Sequence, residues 1–178
     1  MGKVLGTFSK GFPGAASRSN DEVIVSLVNA GTTDIEFGAP VFLTGDGKGV
    51  QNFLNTDGGG TPQTFEKFVG FAVRAANKTP DDYPTSQDYN VNADSNNQHA
   101  VWHPGEAVDV LVRGSIIVKA ATGFLRGGKV WIRKTDGRLM PAAGAEGSTV
   151  WLENCRCSTP QTSQQPYMEL LVTSRNIQ

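Results

Sequence analysis

The chain has 178 residues, carries 16 Lys and Arg against 17 Asp and Glu for a formal net charge of −1, and contains 21 Gly and 9 Pro. That length suits one domain burying about two thirds of its unfolded surface and leaves no room for two full domains. Near-neutral charge argues against binding bare nucleic acid, where affinity comes from neutralised phosphates, and no apolar run nears the roughly 20 residues that span a bilayer.

The first stretch, MGKVLGTFSKGFPGAASRS, lacks the apolar segment of a secretory signal, so synthesis in the cytosol is expected. Residues 1–20 mix Gly, Ser and the isolated aromatics Phe8 and Phe12 without periodicity, which predicts an extended N-terminal arm. From residue 21 to the end the text reads as a single β domain. Val23, Val25 and Leu27 alternate with Ile24, Ser26 and Val28 in a first strand ending near Asn29. Residues 34–37 and 39–44 predict two short strands, with GDGKG at residues 45–49 as the following turn. The three glycines at 58–60 mark a loop.

KFVGFAVR at residues 67–74 predicts the next strand, where Gly70 and Ala72 leave room for close backbone approach. Residues 77–102 are rich in Asn, Asp, Ser and Pro and read as one long, polar surface loop. The meander at residues 105–141 follows. Val108, Val110 and Val112 share one face of an extended strand, Asp109 and Arg113 the other, and the same parity is expected to resume after a bend at Gly114 with Ile116 and Val118. Val130 and Ile132 oppose Trp131 and Arg133, and Asp136-Gly137 supplies a hairpin turn. Residues 149–156 and 167–175 predict the last strands, separated by a polar tract at 158–166. No window has a 3.6-residue period, so the fold class is all-β: a small β-barrel or β-sandwich with an extended arm, long loops and little helix.

Catalytic and ligand chemistry finds few partners. Gly45–Gly49 lacks the spacing and the Ser or Thr of a phosphate loop. His99 and His103 lie i, i+4 in a segment ending at Pro104, where helical metal spacing has no meaning, and a hydrolase using either as base would lack its partners. Asp81, Asp82, Asp88 and Asp94 match no calcium loop. Cys155 and Cys157 point to one face of a probable strand and read as two reduced thiols packed as small hydrophobes. No enzyme activity, cofactor or metal is expected. Trp102, Trp131 and Trp151 fill a core or an interface; the alternative reading is a carbohydrate-binding β module stacking sugars on Trp102, Trp131 or Tyr83.

Taken in order, GFPGAASRS at residues 11–19, NDEVIVSLVNAG, IEFGAPVFL at 35–43, FVGFAVR, GEAVDVLVRGSIIV and GGKVWIRKTDGRLMP resemble the capsid decoration, or cement, proteins of tailed double-stranded DNA bacteriophages. The long loop and the tract at 158–166 carry none of this likeness. The resemblance implies a virion structural protein, made in the host cytoplasm, that binds the major capsid protein on the outer surface of the head and stabilises it against internal DNA pressure. It also implies a homo-oligomer, with a trimer favoured and a dimer possible, and no direct contact with nucleic acid or membrane. On that reading residues 1–20 are mobile in the free protein and order on the capsid, with Phe8, Phe12 and Pro13 as apolar anchors and Arg18 pairing with an acidic capsid residue; the alternative is an arm packed back on its own domain or on a sister subunit.

Overall fold

The computed structural model describes residues 13–17, 21–53, 64–74, 101–121, 123–160 and 167–174, and every structural statement below concerns these. The strands are β1 (Val23–Val28), β2 (Ile35–Glu36), β3 (Pro40–Leu43), β4 (Val50–Asn52), β5 (Phe68–Ala72), β6 (Val101–Trp102), β7 (Ala107–Lys119), β8 (Lys129–Arg133), β9 (Leu139–Met140), β10 (Thr149–Cys157) and β11 (Tyr167–Val172), with one 3-10 turn at Phe65–Lys67. Nine of them form an antiparallel sheet in the order β4-β3-β5-β7-β11-β10-β8-β9, with β1 branching from β7, and the sheet curls into a half-barrel. The all-β expectation holds. β2 and β6 pair separately.

Turn chemistry sets the joints. Thr44 accepts the Gly49 amide and donates to Asp46, closing the 45–49 turn around Gly47 at φ +69°. Gly137 at φ +70° closes the β8–β9 hairpin, its N–H donating to the Arg133 carbonyl at 2.8 Å. The expected turns are where the sequence placed them. β4 was not foreseen: it is three residues long, too short to show alternation.

β7 organises the core. Its N-terminal half pairs with β1 and β5, its C-terminal half with β11. It is buried on both faces, so Leu111 and Ile117 are apolar where simple alternation would place polar residues. Val108, Val110 and Val112 line one cluster with Ile35, Phe37 and Trp102, while Leu111, Ile116 and Val118 line a second, larger cluster. Val112 and Ile116, both even-numbered, thus serve different cores. The expected continuity of parity across Gly114 is therefore corrected: with φ at +123°, a value that favours glycine, this residue turns the strand over. The bend was legible; its inversion of faces was not.

The larger cluster is rich in phenylalanine. Phe42 sits 5.1 Å from Phe53 and 5.5 Å from Phe68 by ring centroids, and Phe68 sits 5.4 Å from Phe71. Each buried ring contributes about 1.5–3 kcal/mol by removal from water. Gly70 faces β7 so closely that a Cβ there would overlap the Leu111 carbonyl oxygen, as its small size implied. The smaller cluster lies on the opposite face and is closed by the β2–β6 pair. Here the extent of the 77–102 loop is corrected: Val101 and Trp102 form β6, Trp102 is 7% exposed, and its indole N–H donates to the Val73 carbonyl at 3.0 Å. The core gains an edge-to-face aromatic contact, Phe37 to Trp102 at 5.9 Å and 71° between planes. Residues 77–100 lie outside the described residues.

Candidate functional site

The candidate surfaces are the segments that the core leaves turned outward among the described residues. Three emerge: the root of the arm, the outer face of the β8–β10 region, and β1.

Residues 13–17 are fixed on the domain's own strands β7 and β11. Gly14 donates to the Ile117 carbonyl at 2.8 Å and its own carbonyl accepts the Arg74 N–H at 2.9 Å. Ser17 donates through its amide to Ser115 at 2.8 Å and through Oγ to Oε1 of the buried Glu169 at 2.7 Å. Gly14 and Gly38, both at φ +76°, pack against each other. A Cβ on Gly14 would lie 2.8 Å from the Arg74 nitrogen and 3.0 Å from the Gly38 nitrogen, so side chains are excluded twice over, by space and by φ. Of the proposed anchors, Pro13 is half-buried beside this lock, while Phe8, Phe12 and Arg18 lie outside the described residues. The Pro13-Gly14 pair was the available signal for the lock, since that dipeptide marks a tight turn.

On β8, the alternation that buries Val130 and Ile132 turns Lys129, Trp131 and Arg133 outward. Trp131 lies opposite Trp151 of β10 and Met140 of β9, so three adjacent strands carry one apolar row. The two indoles stack at 5.9 Å with 27° between planes, and Lys129 Nζ sits 4.4 Å from the Trp151 ring centroid. The Trp151 indole N–H is buried and has no acceptor among the described residues. The β8–β9 turn is held by the Arg133–Asp136 ion pair; the guanidinium keeps the Asp136 carboxyl below its ordinary value of 3.8. Just before β8, a turn displays Leu125 at 74% exposure. Its backbone is pinned by Gly127 donating to the Cys157 carbonyl at 2.7 Å and Cys157 donating to the Gly128 carbonyl at 3.1 Å.

β1 pairs with β7 alone among the described strands, leaving Val23, Ile24 and Val28 exposed at 38%, 43% and 46%. Val25 and Leu27 pack on the smaller core from the other face. The sequence shows Ile24 and Val28 on the second face but not that this face stays exposed. Carboxylates surround it: Asp21 pairs with Arg113, and Asp109 accepts from Ser26.

The remaining sequence candidates scatter. His103 Nδ1 lies 3.0 Å from Asp34 Oδ1 at the surface, whereas His99, Tyr83, Asp81, Asp82, Asp88 and Asp94 lie outside the described residues. Among the described residues no three His, Cys, Asp or Glu side chains come close enough to hold a metal. Cys155 and Cys157 are thiols buried in the larger core, and burial pushes the Cys155 thiol far above its ordinary value. Trp102 fills a core and offers no stacking face, while Trp131 and Trp151 stack on each other. The described residues thus form a packed frame with apolar side chains turned outward.

Comparison with known proteins fits that arrangement. No curated protein matches the chain. A chain from a solved structure, "The capsid of Myoviridae Phage XM1", superposes with a TM-score of 0.64 at 14% identity, covering 96% of this chain and 95% of that one, which shows a shared fold. Residues 3–169 match the model of a family described as "Structural cement protein (E217 gp24/Pam3 gp6)". The chain belongs to this family of phage structural cement proteins.

Proposed function

We propose that this cement protein seats on the outer surface of its phage head, binds the major capsid protein there, and ties neighbouring capsomers together against the pressure of packaged DNA. The match of residues 3–169 to structural cement proteins carries this reading. The physics supports it. A sheet buried on both faces around β7 resists deformation because close-packed interiors transmit strain instead of yielding. Many copies of such a body, each making modest contacts, hold a lattice by avidity. The pinned root at residues 13–17 gives the preceding arm a fixed point of departure, so Phe8 and Phe12 would anchor on the shell or a sister subunit from a defined place.

Cosedimentation tests the reading. Heads assembled without this chain are titrated with the purified protein; saturable binding at a constant number of copies per head supports it, and protein left in the supernatant at every ratio refutes it. Removing residues 2–12 leaves the described lock intact and asks about the arm alone. Unchanged affinity would dismiss Phe8 and Phe12 as anchors.

A further inference from the structure

Three segments run side by side along the C-terminal half of β7. Residues 14–17 run antiparallel to it, with Ala16 opposite Ile116. Gly14 donates to the Ile117 carbonyl at 2.8 Å, Ile117 donates to the Ala15 carbonyl at 3.0 Å, and Ser17 donates to the Ser115 carbonyl at 2.8 Å. Ile117 thus commits both backbone groups to this edge. Successive residues of a strand turn to alternate edges, so β11 pairs along the other one, also antiparallel, from Tyr167 opposite Lys119 to Val172 opposite Gly114.

Both flanking segments point the same way, yet the chain leaves them at opposite ends. Toward residue 13 it departs at the Lys119 end of β7; past Val172 it departs at the Gly114 end. A pull on the two outer parts of the chain is therefore directed lengthwise along three strands. Hydrogen bonds in an antiparallel ladder lie across the strands, so a lengthwise pull loads them together, whereas a crosswise pull opens them one at a time. A side-chain bond reinforces the arrangement. Ser17 Oγ donates to Glu169 Oε1 at 2.7 Å, and Glu169 lies on β11 opposite Ile117, so this bond spans β7 and ties the two flanking segments directly. The Glu169 residue is only 5% exposed. Burying a carboxyl costs desolvation free energy, and a tie between two segments that share a load gives that cost a use.

We propose that residues 13–17, β7 and β11 form a shear clamp, cross-tied by Ser17 and Glu169, that keeps the N-terminal arm joined to the domain when the arm is pulled. Glu169 acts through Ser17 and is a positioning residue. The clamp lets a segment of five residues hold against tension that would strip the same bonds if they were peeled in turn. That the tension comes from a head under internal pressure rests on the capsid-binding reading; the clamp itself is a property of the free protein.

The test stretches single full-length molecules in an optical trap, first between handles at the two termini, then between the N-terminal handle and Lys119→Cys, an exposed position at the end of β7 where the segment departs. Between the termini the clamp should hold until the domain unfolds in one extension of about 50 nm or more. From position 119 the segment ahead of β1 should peel first, releasing roughly 3 nm at about threefold lower force, because the three backbone bonds then break singly. In the terminal pull Ser17→Ala should shorten the lifetime at fixed force about tenfold, as loss of a hydrogen bond to a charged group implies. Ser17→Thr, which keeps the hydroxyl, should retain the wild-type lifetime, and circular dichroism confirms that each variant keeps the fold. A release of roughly 3 nm before unfolding in the terminal pull, equal forces in the two directions, or a Ser17→Ala lifetime equal to wild type would overturn the proposal. Because no shell enters the measurement, its failure leaves the capsid reading untouched.

Discussion

The two halves of the curled sheet solve the same folding problem with different surfaces. Around β3, β5 and the first half of β7, both faces are buried, one by the Phe42–Phe68–Phe71 core and the other by the β2–β6 pair. Around β8, β9 and β10, one face is buried and the other carries Lys129, Trp131 and Trp151 outward, with no described strand above them. The first half is built to hold shape, and substitutions there should act on stability. The second leaves side chains for partners, and substitutions there should act on association. Gly114 is the joint, where the strand shared by both halves exchanges its faces.

The sharpest way to break this comparison is Gly70→Ala. Its Cβ would overlap the Leu111 carbonyl in the doubly buried half, so β5 must move away from β7. Urea unfolding should show a loss of about 3 kcal/mol or more, as for severe overpacking. A loss under 1 kcal/mol would mean the core is looser than described. Next in size is Gly14→Val, which places a β-branched side chain at φ +76° against the Arg74 backbone and should cost about 1–3 kcal/mol. Hydrogen exchange at the Ile117 amide, which donates to Ala15 at 3.0 Å, should accelerate with it.

In the open half, Trp131→Ala should reverse the pattern: a stability loss of about 1 kcal/mol, from a half-buried ring, with binding to undecorated heads weakened about tenfold or more. Equal loss in both readouts would place Trp131 with the frame. The smallest effect belongs to Asp136. Arg133 depresses its folded pKa below 3.8, so its contribution is complete above that pH and is lost as the pH falls through the folded value. Wild type should exceed Asp136→Asn by less than about 1 kcal/mol at neutral pH, because the pair is solvent-screened. The gap should close in strong acid; a gap constant from neutral to pH 2 would assign it to some other cause.

How far the sequence spoke differs between the same two regions. In the β8–β9 hairpin, strict alternation and Asp136-Gly137 were enough, because a strand buried on one face writes its own period. β7 was read as alternating, yet Leu111 and Ile117 interrupt the alternation and already signal burial on both faces. Trp102 was hidden at the end of a polar stretch: its burial depends on Phe37 and Val73, tertiary contacts with no local pattern. The arm root depends on Gly14 meeting Gly38 across a long separation in sequence, which no single window contains. β1 was visible as a strand, but the exposure of Ile24 and Val28 could be known only once β7 had taken its other partners.

DNA retention measures the proposed stabilisation of the head most directly. DNA-filled heads lacking this chain are heated with and without saturating purified protein, and release is followed by dye binding. Release should shift to higher temperature when the protein is bound and return to the undecorated value for heads given a variant that does not bind. Identical release temperatures at full occupancy would contradict the claim that this sheet holds the shell together.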